Sequence, residues 1–88
     1  ADLAVAMSLV SGYRDIAIDE KLIAFGEVGL SGEVRAVTGA AQRIAELQRL
    51  GFRTCILPED NLPGLKGVEG IRLIPVKDVQ SAIRKCFE

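Results

Sequence analysis

The chain has 88 residues, of which 49% are apolar and 26% are charged. This length allows one domain with one modest core, and the apolar fraction excludes an intrinsically disordered chain. Eleven basic and twelve acidic residues leave a net charge of −1, so nucleic acid or acidic lipid has to be attracted by a local patch, if at all. Histidine is absent from the sequence, which removes the most common metal ligand and the usual proton carrier near neutral pH.

The two cysteines, Cys55 and Cys86, have neither CxxC spacing nor a histidine to complete a zinc site, so no metal site is predicted. Each lies in an apolar run, which favours two reduced core thiols over a disulfide or a reactive thiol. The longest uncharged run, residues 3–13, is shorter than the roughly 20 residues that cross a bilayer, and it lacks the basic leader of a signal peptide. We therefore expect a cytoplasmic protein with no membrane partner.

The first predicted element is a helix that Asp2 caps and Gly12 ends. Its main apolar face follows the i, i+3, i+4, i+7 rule at Leu3, Ala6, Met7 and Val10. Two further stripes are the small residues Ala1, Ala4, Ser8 and Ser11, and the apolar pair Val5 and Leu9. A helix that is apolar on several sides is expected to be buried on several sides, and part of its cover is expected outside this chain. The start at Ala1 without a methionine, inside a helical pattern, suggests a piece of a longer protein.

A β-hairpin is predicted next. Residues 22–28 are too continuously apolar for a strand that faces water, which indicates a buried strand. Residues 29–32 have turn chemistry, and residues 33–37 alternate with period two, as a second strand does. The turn glycines Gly26, Gly29 and Gly32 superficially resemble a phosphate-binding loop. A hairpin turn is the better interpretation, because a strand follows and no Gly-Lys-Ser/Thr sequence is present.

The second half of the chain predicts two more strands and two more helices. Thr38 is expected to cap a helix over residues 39–50, with Gly51 ending it. Its buried side is expected at Ala40, Ile44, Leu47 and Leu50, and its wet side at Gln42, Arg43, Glu46 and Arg49. Strands are predicted at residues 54–57 and 71–76, joined by a loop with one helical turn, and Pro75 marks a sheet edge. The final helix is apolar at Val79, Ala82, Ile83, Cys86 and Phe87.

The order α-β-β-α-β-β-α predicts one α/β domain over residues 1–88, with a parallel crossover from residues 33–37 to residues 54–57. Two residue pairs deserve testing as catalytic groups. Glu27 and Glu33 flank the hairpin, but charges beside a turn are usually solvated rather than shielded as a general acid must be. Ser81 and Lys85 are four residues apart on the last helix, on its polar face, where nothing would lower the lysine pKa.

Basic residues form the remaining candidate site. The four arginines around the second predicted helix are Arg35, Arg43, Arg49 and Arg53. Guanidinium groups at one edge of a domain hold phosphates well, and they are the candidate DNA-binding residues. The alternative is ordinary surface charge, with Arg43 paired to Glu46 or Glu33, and nearby aromatic residues for base stacking are almost lacking.

Several motifs resemble the C-terminal domain of the bacterial RadA/Sms family. They comprise the eleven residues 25–35, then Arg43, residues 50–53, residues 56–58, the opening residues 1–6 and residues 12–15. That domain is in turn similar to the proteolytic domain of Lon. The resemblance implies a Lon-like fold, of the type named after ribosomal protein S5 domain 2, and we expect this chain to be an N-terminally truncated piece of it.

Lon proteases use a Ser–Lys dyad, and the resemblance places Arg43 at the lysine position and the serine one place before Ala1. An arginine, with a pKa above about 12, does not lose its proton to act as a general base. The resemblance therefore implies Lon architecture without Lon chemistry, so this segment is expected to have no catalytic residues and not to be an enzyme. The alternative is a fragment of a true Lon-type Ser–Lys peptidase.

RadA-like proteins resemble hexameric helicases with a zinc-binding segment, an ATPase core and this Lon-like domain, and they act in recombinational repair by driving branch migration. The resemblance implies DNA and further copies of the protein as partners. ATP, Mg and Zn are implied for the parent protein and none for these 88 residues, which lack the zinc cysteines and ATPase motifs. The implied function is ring assembly, with possible DNA contact.

Overall fold

The computed structural model, which describes residues 2–14 and 19–86, contains three α-helices, a 3₁₀-helix and five β-strands. In chain order they are α1 (Leu3–Arg14), β1 (Leu22–Ala24), β2 (Glu27–Val28), β3 (Val34–Arg35), α2 (Ala40–Arg49), β4 (Thr54–Pro58), the 3₁₀-helix (Glu59–Leu65), β5 (Arg72–Val76) and α3 (Val79–Cys86). The chain is thus a small mixed α/β domain. Phe87 and the side chain of Val10, both assigned to apolar faces above, lie outside the described residues, as does Ala1.

A parallel sheet with the order β1-β4-β5 lies at the centre. In its register Ile56 lies between Ala24 of β1 and Ile74 of β5. The strands β2 and β3 form a separate antiparallel hairpin, in which Glu27 is opposite Arg35. Because β4 is paired on both sides, it is the middle strand of the sheet, and its side chains contribute to both faces of the fold.

Alternate residues of β4 enter two different apolar clusters. Ile56 packs with Leu3 and Met7 of α1 and with Ala82 of α3 on one face of the sheet. On the other face, Cys55 and Leu57 pack with Ala40 and Ile44 of α2 and with Leu65 of the 3₁₀-helix. This is the period-two alternation of a strand covered on both sides, and it gives three layers with helices on each face of the sheet.

The predicted strand over residues 22–28 is wrong as one element. It divides at Gly26, where φ is 151° and an added Cβ would lie 2.8 Å from Cγ1 of Val34. Before the break, the Phe25 N–H donates to the Ile56 carbonyl, so the chain is still paired with β4. The expected crossover is corrected for the same reason: the parallel neighbour of β4 is β1. The strand β3 pairs with β2, and its Val34 N–H also donates to the Lys77 carbonyl just after β5.

Three predicted helix features are also corrected. Gly12 does not end α1, which continues to Arg14, because glycine adopts helical φ and ψ at a modest cost. Gly39, with φ of 72°, precedes α2 where Thr38 was expected, and no side chain caps this helix. Leu50 was expected to be buried but is 61% exposed, because α2 ends at Arg49 and Leu50 is its C-cap. Gly51 has the expected left-handed conformation, with φ of 97°.

The predicted cap of α1 and the predicted free thiols are confirmed. The Asp2 carboxylate accepts the N–H groups of Ala4 and Val5 at 2.8 and 3.3 Å, so it caps α1. Both cysteines are free thiols; Cys55 is fully buried, and burial raises its pKa to about 12. Within the described residues, none of the helices has the length and apolar character needed to cross a bilayer.

Candidate functional site

Arg43 stands at the rim of a cavity between α2 and the end of β1, at the position that the Lon resemblance gives to a catalytic lysine. Its guanidinium carbon lies 5.8 Å from the centre of the Phe25 ring, within the range of a cation–π contact. Phe25 belongs to the segment that links β1 to β2, and Arg43 belongs to the first half of α2, so the contact joins the two sides of the cavity. The guanidinium is exposed and remains protonated at any physiological pH.

The cavity has a volume of about 500 Å³, an apolar floor and a polar rim. The floor is formed by Ile23, Ala24, Phe25 and Leu47, and the rim includes Asp2, Thr38, Gln42, Arg43 and Glu46. Both acidic groups of the rim are engaged: Asp2 caps α1, and Glu46 binds Arg49. Among the described residues Arg43 has no acidic partner, so the rim carries this guanidinium together with the Asp2 carboxylate and the Glu46–Arg49 ion pair.

The described residues provide no shielded amine that would act as a general base. The lysines Lys21, Lys66, Lys77 and Lys85 are all exposed. Ser81 is half-buried, but its hydroxyl oxygen accepts a hydrogen bond from Arg84 at 3.3 Å. The Ser81–Lys85 pair therefore lacks the dry surroundings that activate a lysine.

Glu33 stabilises the hairpin turn and does not form an acid–base pair with Glu27. Its carboxylate binds Arg35 at 2.9 Å and accepts the Ser31 N–H at 3.0 Å. These hydrogen bonds to the charged form hold the Glu33 pKa below its ordinary value of 4.5, whereas a general acid needs a raised pKa. Glu27 is opposite Arg35 in the register, and the same arginine binds Glu33.

The four arginines predicted to contact DNA differ in their carboxylate partners within the described chain. Arg35 is paired with Glu33, and Arg49 is paired with Glu46 on the same helix. Arg43 and Arg49 are separated by about 9 Å along α2 and by about 120° around it. Arg43 is not paired with Glu46 or Glu33, as the alternative proposed. Glu46 binds Arg49, and Glu33 binds Arg35.

Arg53 lies at one edge of the parallel sheet, next to two other basic residues along the main chain, a neighbourhood that the sequence reasoning missed. Its N–H donates to the Lys21 carbonyl, and its own carbonyl accepts from the Arg72 N–H, each at 2.9 Å. These three exposed cations stand at the beginnings of the three parallel strands, and we call them the basic edge. The strands start at residues far apart in sequence, so only the strand order β1-β4-β5 shows that the three residues of the basic edge are neighbours.

The zinc implied for the parent protein requires a cluster of metal ligands. Residues 2–14 and 19–86 contain no group of three or more His, Cys, Asp or Glu side chains placed to hold a metal ion. The Cys55 thiol is fully buried among the apolar side chains that pack against α2.

A match to a protein-family model shows the family of this chain. The model described as "Subunit ChlI of Mg-chelatase" matches residues 1–61, which is well over half of the chain. The chain belongs to this ChlI family. The match ends at Asn61 in the 3₁₀-helix, so it includes the cavity, Arg43 and Arg53, and it leaves β5 and α3 outside.

Relatives named DNA repair protein RadA extend the similarity over the whole domain. The proteins from Mycolicibacterium smegmatis, Escherichia coli and Bacillus subtilis are each 42% identical to this member of the ChlI family, over 100%, 94% and 94% of its length. The expected RadA relationship is therefore confirmed. The chain spans only 18% of each of these relatives, so it corresponds to about a fifth of a RadA protein.

Proposed function

We propose that this chain is a non-catalytic, Lon-like domain of a RadA-type DNA repair protein, in which it supports ring assembly and contributes DNA contacts. The RadA relatives cover β5 and α3 as well as the first 61 residues, which favours a RadA-type parent over other members of the ChlI family. In that parent, ATP hydrolysis and branch migration would be carried out by the remaining four-fifths of the protein. Such a protein would work in the cytoplasm.

The observation that carries the non-catalytic role is Arg43. A Lon-type peptidase needs an amine that loses its proton at neutral pH, and the guanidinium at this position does not. It is exposed and lies over the Phe25 ring. A cation held there serves to bind an anion or to shape the cavity, and it does not activate a hydroxyl group.

The peptidase alternative makes an opposite claim about Arg43. A Ser–Lys peptidase of which this chain is a fragment would cleave unstructured protein substrates, and Arg43→Lys would raise that cleavage. We expect no cleavage by the intact parent protein and none by its Arg43→Lys variant, measured as peptide release from casein. Cleavage that Arg43→Lys enhances would overturn the non-catalytic role.

The basic edge carries the proposal of DNA contact. Arg53 and Arg72 are exposed, whereas Arg35 and Arg49 already have carboxylate partners. An unpaired cation releases counterions from DNA without first breaking an ion pair, so it contributes more to binding than a paired one. Arg43, in the first half of α2, is a further candidate without a carboxylate partner among the described residues.

The test is a salt titration of DNA binding by the intact parent protein. We expect the double variant Arg53→Glu/Arg72→Glu to weaken binding at least tenfold and to reduce the slope of log affinity against log salt by about two. Arg35→Glu is the matched control, because that arginine is paired with Glu33. An unchanged slope in the double variant, or an equal loss in the control, would remove the basic edge from the proposal. Arg43→Glu/Arg49→Glu tests the α2 arginines in the same assay, and an unchanged slope would dismiss them.

A further inference from the structure

We draw no further inference here: the strongest candidate, the surface patch on the outer face of α1 where the apolar side chains of Val5 and Leu9 are exposed, carries none because nothing in the described structure shows what covers it.

Discussion

The central strand β4 and the β2–β3 hairpin are stabilised by different interactions. Residues Cys55, Ile56 and Leu57 of β4 are completely buried, and they join both apolar clusters. The hairpin has strands of two residues each and is held by main-chain bonds and by the Glu33 carboxylate. Apolar burial therefore dominates at β4, whereas the hairpin combines one buried valine, Val34, with polar bonds that fix its turn, and Leu30 at its tip is exposed.

The largest effect is expected from shortening a side chain of β4. Ile56→Ala removes a fully buried side chain between α1, α3 and both neighbouring strands, and it should lower the free energy of unfolding by about 3 kcal/mol. Leu30→Ala, the matched control on the hairpin, should change it by less than about 0.5 kcal/mol. Urea denaturation followed by circular dichroism measures both. Comparable losses of stability at the two positions would contradict the distinction between a buried core strand and an exposed hairpin tip.

A smaller effect is expected where polar bonds connect the two halves of the fold. The Asn61 side chain accepts the Val37 N–H at 3.0 Å and donates to the Val37 carbonyl at 2.9 Å, as a neighbouring strand would. Asn61→Ala leaves both part-buried groups without this partner and should cost about 2 kcal/mol in the same denaturation experiment. Asp60→Ala, a change at the exposed neighbouring residue of the 3₁₀-helix, should cost much less. A neutral Asn61→Ala would show that water replaces the amide at no cost.

The smallest effect is expected at the hairpin turn, and it depends on pH. The folded-state pKa of Glu33 is lowered by its bonds to Arg35 and to the Ser31 amide. The contribution of the carboxylate to stability is therefore complete above the unfolded-state pKa, near the ordinary value of 4.5, and is lost as the pH falls through the folded-state pKa.

Glu33→Gln should remove that part of the pH dependence. Denaturation midpoints of the wild type and the variant should differ at pH 7 and converge at low pH. Asp78 also has a lowered pKa, through its bonds to Ser81, and it remains unchanged in both proteins. A difference that is constant from pH 7 to pH 3 would mean that the negative charge of Glu33 contributes nothing to the turn.

The strands were only partly predictable from the sequence. The apolar run at residues 54–57 before Pro58 correctly indicated β4, because a short run closed by proline has few other interpretations. Residues 22–28 looked like one strand, since apolar periodicity does not reveal a change of partner. The division at Gly26 depends on the proximity of Val34 and Pro58, which come from later parts of the chain.

The candidate site was predictable to a similar extent. The pattern of α2 correctly placed Arg43 on an exposed face, and the family resemblance singled it out. Its contact with Phe25 follows from the packing of α2 against the end of β1, for which the sequence carries no local signal. The ion pairs of Arg35 and Arg49 join residues two and three positions apart in the sequence. Local pairs of this kind are easier to predict from sequence spacing than a contact between distant segments.

The alternation of β4 between two clusters also limits how the length of this domain can change during evolution. Deleting or inserting one residue within Thr54–Pro58 would exchange the two faces, so that Ile56 would point toward α2 and its neighbours toward α1 and α3. No single compensating substitution restores both clusters after such a shift. The segment between β4 and β5 tolerates added or lost residues far better, since most of its residues are solvent-exposed. Gaps between related sequences should therefore accumulate there and be excluded from β4.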